Sequence, residues 1–298
     1  MTDRAKAHRP RQSRRGFAGL LTANFVSMLG TRMSALALPW FVLVTTGSPA
    51  ETGLVVFAEM APYVLVQGFG GPLVDRYGTW RVSILTDAIA AVAFGLVPTL
   101  YMTGTLGLGT IVALVAVVGA VRGAGDTARR VLVPGLADDA GTALERASGW
   151  YDAISRAASM IGAPAAGVLI ALISAPAVLA VDAATFVVSA LVVALAVPPS
   201  AQRSRMAAAE VARAGSEAEA SYLASLKEGF AHLAADRLLL GIAGMVLVTN
   251  LVDQAFSAVL APVWANSVTG SPVVLGAMGA AMGVGALAGN GTVAWLGP

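Results

Sequence analysis

Cysteine is absent from this chain, which excludes disulfides, thiolate metal sites and thiol catalysis. Histidine is almost absent: His8 and His232 both fall in polar segments and form no ligand cluster. Charge is scarce, at 12% of residues, where a soluble domain carries about a quarter. There is no Gly-x-x-x-x-Gly-Lys loop, so a pump driven by ATP bound to this chain is disfavoured. No cofactor, metal or nucleic-acid partner is expected, and the chain does not read as an enzyme. What fills the sequence instead is apolar: 57% hydrophobic residues and a mean hydropathy of +0.75. Thirty-three glycines suit helices packed closely in lipid, where small residues let backbones approach. The composition predicts an all-α membrane protein with the lipid bilayer as its first partner. Seventeen of the nineteen basic residues are arginine, which fits a GC-rich bacterial gene and hence a bacterial cytoplasmic membrane.

A helix needs about 20 mostly apolar residues to cross the hydrocarbon. On that ruler eight segments span: 17–45, 52–73, 82–101, 106–128, 147–173, 176–197, 238–264 and 273–296. Pro39, Pro62, Pro98, Pro164 and Pro262 lie inside them, which membrane helices tolerate because neighbours satisfy the freed carbonyls. Gly119 and Gly123, Gly279 and Gly283, and Gly285 and Gly289 are each four apart and predict close helix contacts.

Charge placement predicts orientation. Arg4, Lys6, Arg9, Arg11, Arg14 and Arg15 precede the first span. Arg76 and Arg81 occupy the second connection, Arg129, Arg130 and Arg146 the fourth, and Arg203, Arg205, Arg213, Lys227 and Arg237 the sixth. The odd-numbered connections hold neither lysine nor arginine, so the positive-inside rule puts the N-terminus in the cytoplasm. The first apolar run is too long for a signal peptide and is read as a retained helix. Pro198-Pro199 end the sixth span, and a mixed-charge stretch to residue 237 follows. The predicted organisation is a basic cytoplasmic tail (1–16), a six-helix bundle (17–197), a cytoplasmic linker (198–237) and two further helices (238–298), as in a two-bundle transporter.

One short segment between two of these spans is specific. Gly71, Asp75, Arg76, Gly78 and Arg81 form a glycine-bounded, charged turn between the second and third spans. This resembles the signature of the major facilitator superfamily at its expected position, with Thr79 and Trp80 replacing residues that are usually basic. In the fifth span Gly162, Pro164 and Gly167 resemble a worn exporter pattern of that superfamily. Asn24 to Gly30 followed by Ala37-Leu38-Pro39 resembles the first helix of its drug, macrolide and siderophore efflux branch. The resemblance implies a major facilitator fold of twelve helices, working as a monomer. Aligning Gly297 with Gly78 puts Ala294 opposite Asp75 and Trp295 opposite Arg76, so a second copy of the signature lacks its charges. The expectation is a C-terminally truncated chain, with an intact eight-helix protein as the alternative.

The resemblance also implies roles. Helices one, four, seven and ten would line a central cavity, which makes Arg32, Asn250 and Asp253 candidate substrate-cavity residues, with Arg32 and Asp253 facing one another across the bundles. Charges within spans cost roughly 2.5–3.5 kcal/mol on the insertion scale, so each should face a cavity or a partner. Glu59 is a candidate proton-coupling residue, against a simple carboxylate near the outer surface. Asp87 is a second candidate that belongs with the charge network of the signature turn. Asp182 reads as a structural hydrogen-bonding group. Arg122 with Asp126, and Asp152 with Arg156, are spaced four apart and predict neutralising pairs on one helix face, as an interbundle latch or as solvated pairs. In the signature, the resemblance gives Asp75 the task of capping the N-terminus of helix eleven and holding the cytoplasmic gate. The function expected is proton-coupled efflux of a small amphipathic compound by alternating access. An uptake transporter of the same fold and a non-transporting membrane protein are the alternatives.

Overall fold

The computed structural model describes residues 10–199 and 235–296. Every regular element among them is helical: α1 (Pro10–Thr46), α2 (Pro49–Phe69), α3 (Gly71–Tyr77), α4 (Thr79–Met102), α5 (Leu108–Asp139), α6 (Leu144–Ile173), α7 (Ala175–Ala196), α8 (Arg237–Ala255), α9 (Ala261–Val268) and α10 (Val273–Leu296). A π-helical turn, Phe256–Leu260, joins α8 to α9. Seven helical stretches among the described residues are long and apolar enough to cross a membrane, and α10 begins with a further apolar run. The tail before residue 10, the linker over 200–234 and the alignment at Gly297 lie outside the described residues.

Local chemistry sets the joints. Between α1 and α2, Gly47 turns at φ 69° and the Ser48 hydroxyl accepts from the Glu51 amide at 3.2 Å, with Pro49 at the first helical position. Pro262 has no N–H to offer Ala258, and its ring crowds that carbonyl, so the helix widens into the π turn just before it. The signature segment is itself helical over Gly71–Tyr77 and not a bare turn. Its last glycine, Gly78, adopts φ 86° and ψ 136°, a conformation that glycine reaches without a Cβ clash. Val74 anchors α3 by packing with Val82, Ala124 and Ala128. Trp80 donates its indole N–H to the Val197 carbonyl at 2.9 Å, which ties this segment to the end of α7. That contact gives a structural use to a residue that departs from the signature.

α1 packs against α6 and α7, α2 against α5, and α4 against α5 and α7, while α10 lies on α6. Glycines bring the backbones together. A Cβ at Gly119 would overlap the Glu59 carbonyl of α2, and one at Gly123 would come within 2.6 Å of the Tyr63 carbonyl. Gly167 and Gly276 meet face to face, each Cβ position within 3.1 Å of the other's Cα. Gly279 abuts Ala163, and Gly283 abuts Met160 at 3.4 Å. Gly285 and Gly289 have nothing within 4 Å among the described residues, so there the third pair makes none of the contact its spacing predicts.

The bundle interior is layered. One apolar cluster joins Met33, Ala37 and Leu38 of α1 to Phe94, Val115 and Leu179, and a second joins Phe17 and Leu20 to Leu136 and Val193. Between them lies a buried polar band of Asn24, Ser27, Thr31, Ser83, Thr86, Asp87, Arg129 and Ser189. α5 supplies the clearest departure from the sequence reading. Its helix runs to Asp139, so Arg129 and Arg130 sit inside it and not in a connection. Apolarity falls away near residue 128, but the hydrogen-bonded helix continues because buried partners receive the guanidinium.

Candidate functional site

Arg129 is 3% exposed and gathers four helices. Its Nη2 donates to both oxygens of Asp87 on α4 at 2.5 Å and to Ser189 Oγ on α7 at 3.1 Å. Nη1 donates to Ser27 Oγ on α1 at 3.1 Å, and Nε to Ser83 Oγ on α4 at 3.4 Å. A buried guanidinium is tolerated only when paired and hydrogen-bonded, and here both conditions hold. Asp87 therefore belongs to this internal knot. Sequence reasoning missed Arg129 as a site residue by assigning it to a connection. The available signal was its spacing of seven from Arg122, which keeps both on one helical face.

Two turns away along α5, Arg122 Nη1 donates to Glu59 Oε1 of α2 at 2.5 Å, and its Cζ lies 5.5 Å from the Tyr63 ring centroid. Tyr63 donates its hydroxyl proton to Asp126 Oδ2 at 3.1 Å, and Gln67 donates to the Tyr63 oxygen at 3.1 Å. The predicted Arg122–Asp126 pair is thus replaced by two contacts across helices. Gly119 and Gly123 explain why: they press α2 so close that Glu59 becomes the nearer partner. Glu59 is 6% exposed, so it is a buried ion-pair member and no surface carboxylate. Asp182 is fully buried where Gly30 of α1 meets α7 and accepts from Thr185 Oγ1 at 3.0 Å; its Oδ2 has no hydrogen-bond partner within normal distance among the described residues.

Beside these pairs opens a cavity of about 630 Å³. Met28 and Arg32 of α1, Tyr63 of α2, Asp126 and Arg130 of α5, and Tyr151, Asp152 and Arg156 of α6 contribute walls, and Gly279, Met282 and Gly283 of α10 close one side. Its volume lies in the range of small-molecule sites, roughly 300–1,000 Å³. Methionine and tyrosine offer an adaptable apolar surface beside charges of both signs. Gly162 lets α6 approach α1, because a Cβ there would stand 2.5 Å from the Arg32 Cβ. Gly167 and Pro164 serve the α6–α10 crossing. Asp152 and Arg156 both line the cavity, yet no ion pair within 4.0 Å joins them among the described residues.

Arg32 faces this cavity; Asn250 and Asp253 do not line it. No residue of α8 is buried, and the Asn250 amide donates to Val246 O of its own helix at 2.8 Å. No ion pair joins Arg32 and Asp253 among the described residues, and this stretch meets α1 and α2 mainly through its π turn and α9. Asp75, Arg76 and Arg81 are exposed at the α3–α4 joint, away from the cavity, with Arg76 Cζ 5.8 Å from the Tyr77 ring centroid.

Long apolar helices, internal ion pairs and a cavity beside them define a multi-pass membrane protein built to expose a polar site within a bundle. The family model of the Major Facilitator Superfamily matches residues 20–298, and the chain belongs to that family of transporters. It is 33% identical over 188 residues to the Multidrug efflux pump Tap of Mycobacterium tuberculosis, a match that covers 62% of this chain and 45% of that protein. It is 23% identical over 171 residues to the Staphyloferrin A transporter of Staphylococcus aureus, covering 57% of this chain and 43% of that one. The matched stretch therefore spans less than half the length of these curated relatives.

Proposed function

We propose that the chain carries the N-terminal bundle and central-cavity wall of a proton-coupled exporter of small amphipathic compounds, working by alternating access with its N-terminus in the cytoplasm. The observation that carries this reading is the cavity of about 630 Å³ bordered by Tyr63 and Asp126, which connect it directly to the buried Glu59–Arg122 pair. A substrate in the cavity meets Asp126 and Arg32, while a proton on Glu59 would release Arg122 from its partner. Loading and proton binding then act on adjoining groups, because Tyr63 meets both Asp126 at the cavity and Arg122 at the buried pair. Methionine and tyrosine walls suit amphipathic ligands of varied shape. The printed names of the relatives, a multidrug efflux pump and a siderophore transporter, support the substrate class and the direction.

In the same reading residues 17–197 form one bundle and 238–298 begin a second, with Asp75 and its neighbours as the cytoplasmic latch. The α6–α10 glycine crossing supplies a contact on which two bundles can rock. Reconstituted vesicles with an imposed pH gradient test the proposal, using a fluorescent lipophilic cation as substrate. Outward-directed accumulation is expected, and Glu59→Gln is expected to reduce it to the level of protein-free vesicles while leaving helical content unchanged by circular dichroism. Uptake in the same direction as the proton flux would overturn export, and full activity of Glu59→Gln would remove Glu59 from the coupling path.

A further inference from the structure

Between the two arginine–carboxylate pairs lies a second, much smaller cavity of about 10 Å³, room for one water molecule. Its lining includes both halves of the polar band: Asp87 and Arg129 on one side, Arg122 and Asp126 on the other, with Thr31 and Thr86 between them. A buried water is stable when two to four polar groups receive it, and this lining exceeds that number. We propose that this cavity binds a single water that hydrogen-bonds both pairs and joins them into one proton path, from Asp126 at the large cavity to Asp87 in the bundle interior.

The step is balanced. A proton leaves the Asp126 carboxyl for the water oxygen as the water gives one of its own to the Asp87 carboxylate. Asp126 ends ionised, Asp87 neutral and the water unchanged. Arg129 then loses its charged partner, and Ser27, Ser83 and Ser189 still accept from it. The other titratable groups facing this unit are Glu59 and Tyr63 of α2, Tyr151 of α6, Asp182 of α7 and Arg32 of α1, and each bears on the arginines or on Asp126.

The relay rests on the proton coupling proposed above, but the water can be tested without transport. Phe186 lines the small cavity and is 2% exposed; Phe94, 1% exposed, stacks on it at 6.2 Å and does not line the cavity. Radiolytic hydroxyl-radical footprinting of the purified chain labels a buried ring where a bound water lies beside it. Phe186 is expected to oxidise several-fold faster than Phe94, and equal rates would overturn the water site. Gly125→Ala places a Cβ 2.7 Å from Thr86 Oγ1 within this cavity, and should bring Phe186 down to the rate of Phe94. Thr86→Val, nearly the same shape without the hydroxyl, should lower it partway and covers the case in which Gly125→Ala does not fold. In vesicles, wild-type proton-driven accumulation by a variant whose Phe186 labelling has collapsed would overturn the relay. Absence of proton-driven accumulation in the unaltered chain would overturn the coupling reading and the relay with it, while the Phe186 to Phe94 ratio still decides the water.

Discussion

Asp87→Leu is expected to destabilise the bundle by about 3–5 kcal/mol, the cost of stranding one partner of a buried ion pair. The asymmetry between the two partners is the sharper test. Arg129 cannot shed its proton, so without Asp87 a full positive charge stays buried among four helices with serine hydroxyls as its remaining side-chain hydrogen-bond partners. In the reverse case, Arg129→Met leaves Asp87, which can neutralise itself by taking up a proton. Arg129→Met should therefore cost less than Asp87→Leu. The double variant Asp87→Leu/Arg129→Met should recover most of the loss, since no charge remains buried and the serines can bond the carbonyls of their own helices. Unfolding in detergent, followed by circular dichroism across a denaturant titration, gives the three values. Equal losses for both single variants, with no recovery in the double, would show that packing and not charge governs this position.

The second large effect is expected at a residue with no side chain. Gly119→Ala should cost up to about 3 kcal/mol, the upper part of the usual overpacking range. The obstacle is the Glu59 carbonyl of the neighbouring helix, which is backbone and cannot rotate away. α2 must then move off α5, and the Glu59–Arg122 pair at 2.5 Å opens with it. Gly285→Ala is the matched control: the same change in a helix, with nothing within 4 Å. There the better helix propensity of alanine, worth up to about 1 kcal/mol, should appear undiminished. The same unfolding titration reports both, and loss of Tyr63–Asp126 contact should lower substrate binding by Gly119→Ala as well.

Those two glycines show how far the sequence could be read. Gly119 with Gly123 and Gly285 with Gly289 have identical spacing, and spacing predicts contact for both. Only the arrangement of neighbours shows that the first pair touches a backbone and the second touches nothing among the described residues. The charges behave likewise. Arg122 and Asp126 sit four apart and could pair, yet each finds a better partner on α2. Arg129 lies beyond the last strongly apolar stretch, where hydropathy assigns it to a connection, although its partners Ser27, Asp87 and Ser189 lie within apolar spans.

That the chain is helical and membrane-embedded, where most of its spans run to within a few residues, and which family signature it bears are all legible in the amino-acid sequence. These follow from local quantities: the transfer free energy of about twenty consecutive side chains, the turn chemistry of Gly78, and a motif eleven residues long. Only the packing of the helices set which carboxylate Arg122 and Arg129 meet, that Arg32 lines the large cavity while Asp253 does not, and that two cavities of very different size meet at Asp126. A buried charge must find a partner, but hydropathy fixes only its depth. The partner is chosen by which helices pack together, and that choice is made by small residues many positions away in the chain.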